Sequence, residues 1–205
     1  MLLVLLACNK KETMLPPERT SDAPRQTMVA PVEESASGTV SRRSITLGFS
    51  QLGSESDWRN ANSESVKEAA AEAGIELLFE NAEQSQEKQF EAIRSFVAKK
   101  VDVIAIAPVI ETGWEPILRE VKQAGIPVIM VDREMKISDP SLYVTFIGSD
   151  FYEEGRKAGK FLRDFMLDEP GPIRIAELKG TEGSSPTIER AKGFRDIIRE
   201  RDDFE

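Results

Sequence analysis

From residue 45 onward the chain alternates between two kinds of apolar pattern. Ile45 to Phe49 is a short apolar run. It gives way to Ser50, Gln51, Gly53, Ser54 and Glu55, and apolar positions return with helical spacing from about Trp58. A strand that feeds a polar turn and then a helix is the first half of a βαβ unit. Val66, Ala69, Ala70 and Ala73 continue the helical spacing, and Gly74 closes that helix. Ile75 to Phe79 predicts the next strand, and Phe90, Ile93, Phe96 and Val97 the next helical stripe. Val101 to Ala107 is nearly continuous in apolar residues, as a parallel strand covered on both faces should be. Trp114, Ile117, Leu118, Val121 and Ala124 predict a third helix, ended by Gly125. Ile126 to Val131 reads as another buried strand and Tyr143 to Gly148 as a shorter one. Phe161, Leu162 and Phe165 mark a fourth helix, running roughly from Asp150 to Leu167. After Pro170-Gly171-Pro172, Ile173 to Leu178 starts a new strand, and Ile188, Ala191, Phe194 and Ile198 a new helix. Strands alternating with helices specify an α/β fold with a doubly wound parallel sheet.

The break at Pro170 reads as a crossover, so residues 45–168 are expected to form one lobe with five strands. Residues 169–205 hold only one strand and one helix, which cannot bury their own apolar faces. That strand is expected to have no sheet neighbour. The chain therefore reads as the amino-terminal part of a longer two-lobed protein. Ahead of the lobe, the apolar run Met1 to Ala7 ends at Cys8 and falls far short of the roughly 20 residues of a membrane-spanning helix. Residues 9–44 are rich in Pro, Ser, Thr and charge, and are expected to be a disordered tether. Such a tether spans on the order of 35 Å root-mean-square.

Composition narrows the function. The 205 residues are 40% hydrophobic and carry a net charge of -9, which argues against nucleic acid as a partner. There is no histidine, hence no Ser-His-Asp triad, imidazole base or HExxH zinc site. One cysteine excludes an internal disulfide and any four-cysteine metal site. No cofactor is implied.

In a doubly wound sheet, ligands sit at the carboxyl ends of the strands. The first such turn offers Ser50, Gln51, Glu55, Trp58 and Arg59, and the third strand is followed by Pro108 and Thr112. Asp132-Arg133, Gly148-Ser149-Asp150 and Gly180-Thr181 follow the later strands, with Arg190 on the last helix. Carboxylates accept from hydroxyls, guanidinia donate to them, and a flat ring covers the C–H face of a sugar, so the mixture suits a polyol. Asp132-Arg133 is the sharpest pair, and a solvated loop or a structural ion pair is the competing reading. For Arg59 the alternative is a helix-surface ion pair, and for Trp58 a core or staple residue. Ser149-Asp150 is favoured as a helix N-cap over a ligand contact. Arg190 alone is a weak signal.

Taken together, Gly48-Phe49-Ser50-Gln51, Glu55 to Arg59, Ala107-Pro108, Thr112-Gly113-Trp114-Glu115-Pro116, Asp132-Arg133, Glu177-Leu178, Gly180-Thr181 and Arg190 to Phe194 resemble the sugar-binding proteins of bacterial ABC importers. The class is the ribose- and galactose-binding type (the type I periplasmic-binding-protein fold), and the chain looks most like its galactofuranose binders. The similarity runs from about Ile45 to the end. It implies capture of a monosaccharide between two hinged lobes by a monomer, without chemistry, and delivery to a membrane permease. It also implies that Glu55, Ser56, Asp57, Trp58 and Arg59, then Asp132 and Arg133, then Arg190, touch the sugar. Asp57 stands where that family usually has glycine, a departure expected to bear on which sugar fits. Leu5-Leu6-Ala7-Cys8 resembles a lipobox, which implies a signal peptide over residues 1–8, lipidation at Cys8 and a membrane-anchored extracytoplasmic protein.

Three other functions share parts of this pattern. A LacI-type effector domain needs an amino-terminal helix-turn-helix, and residues 9–44 have no helical pattern. A nucleotide-using enzyme needs a phosphate cradle, and the first turn lacks GxGxxG and GxxxxGK[ST]. A ligand-sensing module for a membrane receptor would look the same as an importer component. On the binding reading, Asp132→Ala and Arg59→Ala are each expected to weaken sugar binding with little loss of fold. A chain ending before the lobes are complete is expected to bind its sugar beyond millimolar.

Overall fold

The computed structural model describes residues 3–6, by backbone only, and 44–204. The expected lipidation site Cys8 and the expected tether, apart from Ser44, lie outside the described residues. Five strands form one parallel sheet: β2 (Thr46–Gln51), β3 (Glu76–Asn81), β4 (Val103–Ile106), β5 (Val128–Asp132) and β6 (Thr145–Gly148). Between and after them come α1 (Asp57–Glu72), α2 (Gln86–Ala98), α3 (Glu115–Gln123) and α4 (Phe151–Phe165). The strand order is β3-β2-β4-β5-β6. Because β2 pairs with both β3 and β4, the winding direction reverses at β2, and ligands of open α/β sheets gather outside the carboxyl ends at such a point. The first strand is a residue or two later than its apolar run suggests, since Ser50 and Gln51 still pair with Glu80 and Asn81.

The main core lies between the sheet and its helices. Ile104, Ile106, Val128 and Met130 from the strands meet Ile93 and Phe96 of α2 and Trp114, Ile117, Leu118 and Val121 of the α3 region. Gly48 in β2 has no room for a side chain, because a Cβ there would lie 2.6 Å from the Phe96 ring. Trp114 is fully buried, donates from Nε1 to the Ile110 carbonyl at 2.7 Å, and meets the Phe90 ring edge-on. The stripe read on α1 is less buried than its spacing suggests: Ala69 is exposed, and Ala70 and Arg59 are the helix's buried residues. Its apolar side chains are mostly methyl groups, which contribute little burial against a sheet edge.

A second, smaller core is built by α4, β7 (Ile175–Leu178) and α5 (Ser185–Ile198). Leu162 and Met166 pack with Ile173 and Phe194. The helix Phe151–Phe165, read from the sequence with the preceding lobe, thus shares its buried face with α5. Asp150 is its N-cap, accepting from the Glu153 N–H at 2.8 Å, as the sequence favours. The strand expected to have no neighbour does have one: β1 (Leu3–Leu6) pairs antiparallel with β7. An unpaired strand edge presents a row of free N–H and C=O groups, which an apolar extended segment satisfies.

Candidate functional site

The turn after β2 and the turn after β5 meet through three charged residues. Ser56 is the N-cap of α1, its Oγ accepting from the Arg59 N–H at 3.2 Å. This fixes the first turn and aims Arg59 inward, where it is 3% exposed. Arg59 Nη2 donates to Asp132 Oδ2 at 2.7 Å and Nε to Glu55 Oε1 at 3.3 Å. Asp132 has a φ of 64°, a left-handed conformation uncommon for a residue with a Cβ. Arg133 follows it, 7% exposed, and donates from Nη1 to the Val109 carbonyl at 3.0 Å. Its Nη2 is 3.8 Å from Glu55 and its Nε 3.9 Å from Asp132, which are ion-pair distances rather than hydrogen bonds.

The four side chains form a cluster with no net charge, two guanidinia interleaved with two carboxylates. Arg59 Nη1 and Arg133 Nε are buried N–H groups with no hydrogen-bond partner among the described residues. Buried donors are costly to leave unpaired. Burial, and then the nearby Arg59 charge, hold the Arg133 guanidinium below its ordinary pKa, with Asp132 and Glu55 opposing. The Arg190 charge adds a smaller depression, which places it within electrostatic reach of Arg133.

Not every residue singled out in the sequence joins this cluster. Trp58 is 57% exposed, so it is no core residue, and its ring lies 4.8 Å from the Arg59 guanidinium carbon. Asp57 is the exposed first residue of α1. Ser50 and Gln51 are fully buried and engaged elsewhere. Gln51 donates to Asn62 Oδ1 at 2.9 Å and to Ser63 Oγ at 3.1 Å, and accepts from the Leu52 N–H at 3.1 Å. Ser50 Oγ meets Gln89 Nε2 at 3.3 Å. Pro108 is buried at the exit of β4. Arg190 donates to Glu154 Oε2 at 2.7 Å and lies 4.6 Å over the Phe151 ring. Phe151 also lines an open cavity of about 410 Å³, with Glu134, Asp150 and Glu189 around it. None of Glu55, Arg59, Asp132 or Arg133 lines that cavity.

Sequence reasoning missed Gln89, Glu154 and Phe151. Gln89 left a signal: it sits one turn before Ile93 on the buried stripe of α2, a polar residue at a core position. Glu154 and Phe151 left none, because their pairing with Arg190 depends on how α4 meets α5.

Comparison with known proteins gives the family. The periplasmic binding protein domain family matches residues 47–205. The galactofuranose-binding protein YtfQ of Escherichia coli is 43% identical over 177 residues, covering 85% of this chain and 54% of its own length. A Mycobacterium smegmatis protein solved in complex with β-D-fucofuranose is 48% identical with a TM-score of 0.75, covering 79% of this chain and 53% of its own. The arabinofuranose-bound periplasmic component of the arabinose ABC transporter from Shewanella sp. ANA-3 is 49% identical with a TM-score of 0.73, covering 78% and 52%. The chain spans about half the length of the curated relatives it matches. It belongs to the periplasmic binding protein domain family.

Proposed function

We propose that this chain carries part of the sugar site of an ABC-importer binding protein, and that the ligand is an uncharged monosaccharide in its furanose form. The observation behind this reading is the neutral cluster of Glu55, Arg59, Asp132 and Arg133, with its two buried N–H groups lacking partners. Vicinal hydroxyls donate to carboxylates and accept from guanidinia at once, so a neutral polyol matches both halves of the cluster. A phosphate or carboxylate ligand would add charge to a balanced site. Trp58, exposed beside Arg59, offers a flat face to the ring, and Arg190 stands on α5, paired with Glu154. The relatives bound to fucofuranose and arabinofuranose support the ring form. On this reading the protein binds and delivers without catalysis, as a monomer, to a membrane permease. Cys8 carries a lipid that holds the domain outside the cytoplasm; cleavage before it removes β1, the partner of β7, and mass spectrometry of the mature amino-terminus tests that part. A calorimetric panel tests the ligand. Heat with L-arabinose, D-fucose or D-galactose and none with glucuronate or sugar phosphates is expected. Preference for the charged sugars would overturn the reading.

A further inference from the structure

The exit of β4 carries two buried backbone groups that the sheet cannot serve. The Ala107 N–H donates to the Ser50 carbonyl at 3.0 Å, the last rung between β2 and the β4 segment. Pro108 then has no N–H to offer. The Ala107 carbonyl and the Val109 N–H lie beyond this rung, in residues that are 0% and 5% exposed. Gln89, itself 0% exposed, satisfies both. Its Nε2 donates to the Ala107 carbonyl at 2.9 Å, and its Oε1 accepts from the Val109 N–H at 2.9 Å. One carboxamide thus stands where the peptide group of a further strand would stand.

The consequence reaches the charged cluster. The Val109 carbonyl accepts from Arg133 Nη1 at 3.0 Å, and this is the guanidinium's hydrogen bond among the described residues. Its contacts with Glu55 and Asp132, at 3.8 and 3.9 Å, are too long to set direction. The orientation of Arg133 therefore depends on where Val109 is held; Gln89 holds its backbone N–H, and the Val109 side chain packs with Leu52 and Ala107. We propose that Gln89 is a positioning residue for the sugar site: through Val109 it fixes the Arg133 guanidinium in its place beside Glu55 and Asp132, within the cluster that holds the sugar. The sugar half of this inference rests on the function proposed above, and the guanidinium half does not.

Nuclear magnetic resonance on the 205-residue chain separates the two halves. The Arg133 Nε–H resonance is identified by its loss in Arg133→Lys. Gln89→Met keeps the length of the side chain and removes the amide, and Ile93→Ala supplies destabilisation from the same helix without touching Val109. Gln89→Met is expected to shift the Arg133 Nε–H resonance, speed its exchange with water, and weaken L-arabinose binding about tenfold. Ile93→Ala is expected to leave the resonance in place. If Gln89→Met does not fold, Gln89→Asn draws the amide back by one methylene and is expected to displace the resonance likewise. A resonance unmoved in the Gln89 variant, or moved equally by Ile93→Ala, overturns the positioning role. A resonance that moves in a chain whose spectrum does not respond to L-arabinose even at molar concentration supports the positioning role and overturns the sugar reading.

Discussion

Asp132 holds an arginine that is almost out of reach of water. Its carboxylate lies 2.7 Å from Arg59, whose side chain is 4% exposed, while Asp132 itself is 16% exposed. The two partners are therefore unequal. Removing Asp132 leaves a buried guanidinium with Glu55 at 3.3 Å as its remaining close partner. Removing Arg59 leaves two carboxylates that water can still reach. Asp132→Ala is expected to lower the unfolding free energy by about 2–3 kcal/mol, more than Arg59→Ala does, in urea denaturation. Both are expected to weaken sugar binding about thirtyfold, for roughly 2 kcal/mol of lost charged hydrogen bonding. Burial thus revises the expectation from sequence that Asp132→Ala spares the fold. Glu134, two residues on, makes a separate prediction. Burial first, then the charges of Glu189, Asp150 and Glu111, raise its pKa above the ordinary glutamate value of 4.5. The folded state then holds this proton more tightly than the unfolded one. Its stabilising contribution is present below that ordinary value and is lost as pH rises through the raised one. Glu134→Gln is expected to raise the thermal midpoint near pH 7 and to leave it unchanged near pH 4. An equal rise at both pH values would contradict the assignment.

At the scale of elements, the α4–α5 contact decides where Arg190 stands. The two helices approach so closely that a Cβ on Gly193 would overlap the Tyr152 carbonyl oxygen, and one on Gly155 the Arg190 carbonyl. Both obstacles are backbone and cannot swing away. Gly193→Ala is expected to cost about 2–3 kcal/mol, since overpacking forces the helices apart. Amide exchange should report it as faster opening of α4 and α5 with the main sheet unchanged. Such a contact leaves only glycines in the sequence, and a glycine inside a helical stripe reads equally as a weak point. The strands and helices themselves were legible because Val101 to Ala107 and Ile126 to Val131 are nearly unbroken apolar runs and α2 and α3 repeat at helical spacing. The cluster was half legible. Glu55, Arg59 and Asp132-Arg133 follow β2 and β5, and the switch in strand order brings those ends together. Ser50 and Gln51 follow β2 just as closely, yet strand pairing extends through both and their side chains are buried. Polarity after a strand does not say where the strand stops.

Across the whole set of described residues, apolar burial is uneven. The sheet from β2 to β6 rests on a core that includes Ile93, Phe96, Ile104, Trp114, Leu118 and Val128. The α4–β7–α5 group has Leu162, Met166, Ile173 and Phe194. Local opening follows local burial, so amides of β4 and β5 are expected to exchange slowest, α5 faster and β7 fastest. Equal protection in β7 and β5 would contradict this.

A neutral sugar held by Glu55, Arg59, Asp132 and Arg133, as proposed, must perturb those residues when it binds. The most direct test is a titration of the isotope-labelled 205-residue chain with L-arabinose, followed residue by residue by nuclear magnetic resonance. Saturable shifts, in the millimolar range or weaker, are expected at Trp58, the Arg59 and Arg133 side chains and the Asp132 amide, with their loss in Arg59→Ala. Saturable shifts confined to other residues, or undiminished in Arg59→Ala, would contradict it.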